Sequence, residues 1–265
     1  MSLVAGQGTA APVSPTQASW RSVVQVMGMP VSIVLRGRHA GDQAGQEAWR
    51  AVVAELREVD RVFSTYRPDS IVSRLDRGEI GLEDCPDEVL EVLALGERAR
   101  VESDGAFDVH RTGPSGRRRL DPSGVVKGWA VQRASRHLAV LADTDHCLSA
   151  GGDMVCEVAD PVRPAWRIGV EDPHQPHRLV AHVPVRHGAI ATSSAAHRGE
   201  HITDARTGRP ATGVASVTVL AADLTSADID ATAAFALGDR AISWLRTREA
   251  RTAVVVLSDG STVVC

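Results

Sequence analysis

Ala227-Asp228-Ile229-Asp230-Ala231-Thr232, near the C-terminus, is the most informative stretch of this chain, and it predicts the first turns of a helix. Residues four apart lie on one helix face, with Cβ atoms about 5–6 Å apart, so Asp228 and Thr232 point the same way. Two oxygen donors on one face suit Mg²⁺ or Ca²⁺ better than Zn²⁺, and such cations usually bind water and substrate phosphates as well. The alternative is structural, because the helix dipole alone favours an early Asp and a helical Thr can hydrogen-bond to its own backbone.

A second segment, Asp121-Pro122-Ser123-Gly124-Val125-Val126-Lys127-Gly128, leads into another helix, with Ser123 as the predicted N-cap. Free N–H groups at a helix N-terminus bind anions, and a lysine one turn further on can bind phosphate. The spacing differs from that of a P-loop, and a capped helix with a surface lysine is the alternative interpretation.

Around these two helices the pattern predicts an α+β fold, with mixed, largely antiparallel sheets and packed helices. Apolar residues at three- and four-residue steps predict a helix from Asp42 to Val62, and Pro86 opens another. A closing hairpin is expected around Asp259-Gly260. The predicted strands are Ser22–Val26, Val31–Leu35, Cys147–Ser149, Trp166–Val170, Leu179–Val183, Ala189–Thr192, Val214–Leu220, Ala253–Leu257 and Thr262–Val264. Residues 1–19 are expected to be disordered and residues 20–265 to form a single domain.

Composition excludes several classes of protein. A net charge of −4 argues against a nucleic-acid binder held by phosphate contacts. The short basic run Arg117-Arg118-Arg119 is interpreted as a solvated loop, with a phosphate contact as the alternative. The four cysteines lack C-x-x-C spacing, which argues against zinc and favours unpaired thiols in a reducing compartment. With no export signal and no long apolar segment, a cytoplasmic protein without a membrane span is expected.

Three further positions are candidates for a binding or catalytic role. Tyr66, the only tyrosine, lies in a loop where its ring could stack on a planar ligand or be half-buried. Gly151-Gly152-Asp153 either lets the backbone approach a ligand or makes a tight turn. His201 is a candidate general base. Ser193-Ser194 with His197 lacks the G-x-S-x-G elbow of a serine hydrolase, so that interpretation is set aside.

Taken together, these segments resemble the ApbE family of flavin transferases, which move FMN from FAD onto a protein threonine. The resemblance extends from about residue 25 to residue 245, and its segments occur in the family's order. They are Met27-Gly28 with Pro30, Phe63 to Ser70, Gly105 to Asp108, Asp121 to Ala130, Gly151-Gly152-Asp153, Ala191-Thr192-Ser193, Arg198 to Ile202, Thr207-Gly208, and Ala227-Asp228 with Thr232.

The resemblance implies an ApbE-like fold and roles for individual residues. FAD is the implied substrate, an acceptor protein bearing a threonine is the implied partner, and Mg²⁺ is the implied metal, with Ca²⁺ as the alternative. His201 is the implied base. The implied metal ligands are the Gly124 carbonyl and the side chains of Asp228 and Thr232. The implied FAD contacts are Met27, Tyr66, Ala106, Phe107, Asp108, Asp121, Lys127 and Ile202.

The chain departs from the usual family pattern at several positions. Ser194 replaces a glycine, Ala205 replaces a proline, and Ala196-His197 replaces a common Tyr-Glu pair. Met29 stands where threonine is common. Three other hypotheses stay open: an FAD pyrophosphatase giving FMN and AMP, for which the changes at Ser194 and Ala196 could open the site to water, a non-catalytic FAD-binding protein, and a Ca²⁺-stabilised structural domain.

Overall fold

A computed structural model describes residues 19–112, 116–195, 202–249 and 251–265. Residues 1–18 of the segment expected to be disordered lie outside the described part, and Ser19 begins the first strand. The predicted base His201 also lies outside it.

The described residues form fourteen strands and six α-helices. The strands are β1 (Ser19–Val26), β2 (Met29–Gly37), β3 (His110–Thr112), β4 (Arg118–Leu120), β5 (Thr144–Ala150), β6 (Asp153–Glu157), β7 (Trp166–Glu171), β8 (Leu179–Val185), β9 (His187–Ser194), β10 (Thr203–Asp204), β11 (Arg209–Pro210), β12 (Val214–Ala221), β13 (Thr252–Leu257) and β14 (Thr262–Val264). The helices are α1 (Gln43–Phe63), α2 (Ile71–Asp76), α3 (Asp87–Glu102), α4 (Ser123–Ser135), α5 (Leu224–Leu237) and α6 (Ala241–Leu245).

One eight-stranded sheet organises the described chain, in the order β1-β2-β5-β6-β9-β12-β13-β14. Every neighbouring pair in it is antiparallel. The pairs β3–β4, β7–β8 and β10–β11 form separate two-stranded sheets. The predicted α+β class with largely antiparallel sheets is therefore confirmed.

The two faces of the large sheet bury different sets of side chains, because successive residues of a strand point in opposite directions. Leu148, Ala189 and Val255 lie on the face that the helices cover, within the main hydrophobic core. Their chain neighbours Cys147, Ile190 and Val254 lie on the opposite face. There they pack with residues of the β7–β8 hairpin, namely Ile168, Val170 and Val185. The helices and this hairpin thus cover opposite faces of the sheet.

Helix α5 is buried along most of its length because it packs against β9, β12 and α4. Its close contact with α4 depends on Gly128. A Cβ atom at that position would lie 2.6 Å from the Leu224 carbonyl oxygen and 2.7 Å from Asp228 Cβ. Helix α5 ends at Leu237 and is followed by Gly238, whose φ of 56° is easily adopted by glycine.

The structure corrects several local predictions. Ser123 is the first residue of α4 and not its N-cap; its N–H instead donates to the Asp121 carboxylate at 3.2 Å. Helix α5 begins at Leu224, capped by Asp223, so Asp228 lies in the second turn and not in the first. Part of the basic run is strand β4 and not a loop. Strand β6 and helix α2 were not predicted; each is short, and their sequences show no clear periodicity.

Candidate active site

A buried ionic cluster joins α4, β6 and α5. The Lys127 ammonium lies 3.1 Å from Asp228 Oδ1 and also contacts Asp153 Oδ2. The two carboxylates are almost completely buried, whereas the lysine side chain keeps 22% of its exposure. The lysine therefore forms the solvent-facing side of a cluster whose acidic groups are inside the protein.

Backbone groups fix both carboxylates. Asp228 Oδ2 accepts the Gly128 N–H at 2.9 Å, which is possible because α4 and α5 are so close at that glycine. Asp153 follows the turn made by Gly151 and Gly152, which have φ angles of 58° and 101°. Its Oδ1 accepts the Thr192 N–H at 2.9 Å across to β9. Each acid is held by a neighbouring element and not by its own.

Burial and charge shift the ionisation of the cluster. Burial disfavours the lysine ammonium, but Asp228 and Asp153 outweigh this effect, so the pKa of Lys127 is raised above its usual value. Burial also raises the pKa of Asp228 to about 6; Lys127 opposes the rise and Asp153 adds to it. Fully ionised, two carboxylates and one ammonium carry a net charge of −1. The cluster is therefore suited to attract a further cation.

The other two predicted metal ligands lie beside this cluster. Thr232 is one turn beyond Asp228 on α5, and its hydroxyl lies 3.1 Å from the Ser193 hydroxyl. Gly124 lies in the first turn of α4, where a Cβ atom would lie 3.8 Å from Thr232 Cγ2. Tertiary packing thus brings the three predicted ligand residues together.

The donor chemistry of these residues fits a hard divalent cation. The predicted set consists of a carboxylate, a hydroxyl and a backbone carbonyl, all oxygen donors. Next to it, the buried Asp153 Oδ2 has the Lys127 ion pair but no hydrogen bond among the described residues. No group of three or more His, Cys, Asp or Glu side chains in the described ranges could hold a metal. This is expected for a set with one carboxylate.

Residues 106–108 adjoin this cluster through the Phe107 ring. That ring lies 3.0 Å from the position of a Cβ on Gly124, and both Ala106 and Phe107 are buried. The Ala106 carbonyl accepts the Ala205 N–H at 3.0 Å, and Asp108 pairs with Arg118 at 2.8 Å. Side chains at 106 and 107 are thus packed inside, which leaves the Asp108 carboxylate as the polar group of this segment.

The basic run makes surface ion pairs. Arg117 and Arg119 both pair with Asp76. Outside the run, the predicted FAD contact Asp121 lies 3.5 Å from Arg111. Since all three arginines of the run are more than half exposed, the solvated interpretation agrees with the structure, although two of them belong to a strand.

The other predicted FAD contacts are spread over separate elements. Met27 occupies the β1–β2 turn, on the same end of the sheet as Asp153, because the Gly151 N–H donates to Pro30 O at 3.2 Å. Ile202 is 9% exposed and belongs to the main core. Tyr66 is 97% exposed in the α1–α2 connection, with its ring face open to a ligand.

Two polar groups of this region were not predicted as functional. The sequence singled out Gly151-Gly152-Asp153 only for its backbone, whereas the Asp153 carboxylate is one of the two partners of Lys127. The Ser193 hydroxyl, dismissed as a hydrolase nucleophile, contacts Thr232. An acid directly after a double glycine was the available signal for the first; for the second, the resemblance included the segment Ala191-Thr192-Ser193 but implied no role for its serine.

Two surface cavities lie away from this cluster. One, of about 260 Å³, lies beside α3, α4 and the start of α5; the other, of about 400 Å³, lies between the β7–β8 and β13–β14 connections. None of the predicted site residues lines either cavity. We assign the site from the ionic cluster, because it combines buried charge with the predicted ligands.

Within the described ranges, no helix has both the length and the apolar character needed to cross a bilayer.

Comparison with known proteins places this arrangement in a family. A curated relative from Rhodobacter capsulatus, named FAD:protein FMN transferase, is 31% identical over 154 residues, which are 54% of this chain and 29% of that protein. The chain therefore spans less than a third of this relative's length.

Solved structures share the fold. An ApbE protein from Thermotoga maritima has a TM-score of 0.78 at 21% identity, covering 92% of this chain and 96% of that one. The flavin transferase ApbE of Vibrio cholerae gives 0.77 at 22%, covering 94% and 97%. The apo flavinyl transferase ApbE of Pseudomonas stutzeri gives 0.79 at 22%, covering 95% and 97%. The ApbE family model matches residues 27–115 and 111–256, so the chain belongs to the ApbE family.

Proposed function

We propose that this protein transfers FMN from FAD to a threonine hydroxyl of an acceptor protein and releases AMP. The observation that carries the proposal is the cluster of Lys127, Asp153 and Asp228, with Gly124 and Thr232 beside it. Family membership and the names of its relatives support the same chemistry.

The chain's own residues supply binding, orientation and proton transfer. Lys127 offers a charged donor to the diphosphate of FAD, and Tyr66 offers an uncovered ring to the isoalloxazine. The incoming threonine oxygen attacks the flavin-side phosphorus as the phosphoanhydride bond to AMP breaks. His201 takes the hydroxyl proton.

A divalent metal is part of the proposal. Gly124 O, Asp228 and Thr232 would hold Mg²⁺, which would offset negative charge on the phosphate oxygens. Ser193, through its contact with Thr232, would orient that hydroxyl.

The first test compares two chemically identical substitutions in one helix. Asp228→Asn removes charge from the cluster, whereas Asp223→Asn changes the N-cap of α5 to another good capping residue. With FAD, Mg²⁺ and a threonine-bearing acceptor, FMN attachment is measured by mass spectrometry. We expect Asp228→Asn to lose transfer by a factor of at least about 10², and Asp223→Asn to retain it. Equal activity of the two variants would refute the role of the cluster.

The second test concerns the base and the alternative reactions. We expect His201→Ala to lower transfer by about 10²–10⁴-fold while FAD binding stays near the parent value. Rapid release of AMP and free FMN without acceptor would instead favour a pyrophosphatase. FAD that binds and stays intact with every acceptor would indicate a non-catalytic flavin-binding protein. Absence of FAD-dependent thermal stabilisation would favour a structural domain. The acceptor and the cytoplasmic location remain predictions.

A further inference from the structure

Two cysteines lie directly opposite each other on the sheet face away from the proposed active site. Cys147 of β5 is the register partner of Cys156 of β6. Their sulfur atoms are 3.6 Å apart, with the Cys156 thiol donating to the Cys147 sulfur. Opposed residues of antiparallel strands have Cα atoms about 4.5–5.5 Å apart, and disulfides join Cα atoms about 4.4–6.8 Å apart. Small side-chain rotations therefore suffice to bring the two sulfur atoms into bonding distance.

The surroundings favour a reaction between these two thiols over reactions with other groups. Both sulfurs belong to an apolar cluster with Ile168, Val170 and Val185 of the covering hairpin. Cys147 is 8% exposed and Cys156 only 1%, so a reagent reaches Cys147 first. Once Cys147 carries a leaving group, the adjacent Cys156 is positioned to displace it.

The other two cysteines provide an internal contrast. Burial raises the pKa of the thiols of Cys85 and Cys265. The hydrogen bond from Cys156 instead lowers the pKa of Cys147, although burial opposes it and Arg36 contributes a smaller lowering effect. Because the thiolate is the reactive form of cysteine, Cys147 is a better nucleophile than Cys85 or Cys265 would be at equal exposure.

We propose that Cys147 and Cys156 form an intramolecular, reversible disulfide by exchange with a low-molecular-weight disulfide such as oxidised glutathione. The Cys147 thiolate attacks one glutathione sulfur, giving a mixed disulfide and one glutathione thiolate, which takes up the proton that Cys147 lost. Cys156 then attacks the Cys147 sulfur, and the second glutathione thiolate leaves and takes up the Cys156 proton. One glutathione disulfide is thereby reduced to two glutathione molecules, and two protein thiols are oxidised to one disulfide.

This bond would close the β5–β6 hairpin that carries the proposed active-site acid. Asp153 lies between the two cysteines, directly after the Gly151-Gly152 turn. A cross-link at 147 and 156 would limit separation of the two strands and so hold Asp153 against Lys127. The oxidised and reduced proteins thus differ in the rigidity of this hairpin.

The test uses the full chain, reduced and then equilibrated without oxygen in buffers of increasing oxidised-to-reduced glutathione ratio. Acid quenching is followed by alkylation under denaturing conditions and peptide mass spectrometry. We expect a peptide pair linked through Cys147 and Cys156 to accumulate as the ratio rises. The double variant Cys85→Ala, Cys265→Ala should form the same link with the same midpoint, and Cys147→Ala should abolish it.

Two results would overturn the proposal. One is full alkylation of Cys147 and Cys156 at ratios where Cys85 or Cys265 already carries glutathione. The other is a stable mixed disulfide at Cys147 without the internal link, because the geometry requires Cys156 to displace glutathione. Neither readout uses the transfer reaction, so the proposal is tested independently of the proposed function.

Discussion

Gly128→Ala tests the closest contact between the two helices that build the proposed active site. The added methyl would lie 2.6 Å from the Leu224 carbonyl oxygen and 2.7 Å from Asp228 Cβ, whereas ordinary contacts begin near 3.4 Å. Both obstacles are backbone or backbone-proximal atoms that cannot rotate away. Helices α4 and α5 must therefore separate.

The size of the effect follows from three contributions. Overpacking costs about 1–3 kcal/mol. Separation also weakens the Gly128 N–H hydrogen bond to the buried Asp228 carboxylate, and a hydrogen bond to a charged group is worth about 1.5–3 kcal/mol. The higher helix propensity of alanine offsets about 1 kcal/mol. The net expectation is a loss of about 1.5–5 kcal/mol, or roughly 3–12 °C in Tm for a domain of this size.

Thermal and denaturant unfolding measure this loss, with Gly124→Ala as the comparison in the same helix. At Gly124 the nearest obstacle is the Phe107 ring, 3.0 Å from the added Cβ, and a ring can tilt. We expect Gly124→Ala to lose less than half as much stability. A Gly128→Ala protein melting within about 2 °C of the parent would correspond to under 1 kcal/mol and would refute the close packing argued above.

Three further predictions concern other parts of the fold. Burial lowers the pKa of His146 to about 4, against the opposing charge of Asp145, so the unfolded chain binds more protons than the folded one between pH 6.5 and 4. The contribution of His146 to stability should therefore fall by about 3 kcal/mol as pH drops through that window, while the raised pKa of Asp228 acts in the opposite direction over nearly the same range. Denaturant titrations of the parent and of His146→Leu isolate the histidine, because stability should decline less with falling pH in the variant; an identical pH dependence in the two proteins would exclude His146 as a contributor. Met27 has a φ of 55° in the two-residue β1–β2 turn, a conformation that Asn adopts more readily. Met27→Asn should raise the free energy of unfolding by about 0.5–1 kcal/mol and weaken FAD binding, and calorimetry can measure both effects. Tighter FAD binding would contradict the predicted contact. Ala205→Pro removes the N–H that donates to the buried Ala106 carbonyl and should cost about 1–3 kcal/mol in denaturant unfolding, and unchanged stability would show that this hydrogen bond contributes little.

Much of the fold was predictable because local patterns reflect burial. The three- and four-residue spacing of apolar residues gave α1 to within one residue at each end. Alternation and turn residues gave most strands of the large sheet, and Asp259-Gly260 gave the closing hairpin. Elements of two to six residues, such as α2, β6 and β10, were missed because so short a segment carries no reliable period.

The proposed active site separates what the sequence determines from what only the tertiary structure determines. Sequence alone determined that Asp228 and Thr232 share a helix face, since helical geometry depends only on their spacing of four. It could not determine that Asp153 joins Asp228 around Lys127, or that Cys147 faces Cys156. Those pairings depend on which strands are neighbours, on their register and on the close approach that Gly128 permits between α4 and α5. Contacts between residues distant in sequence are set by packing of the whole core, and no local pattern records them.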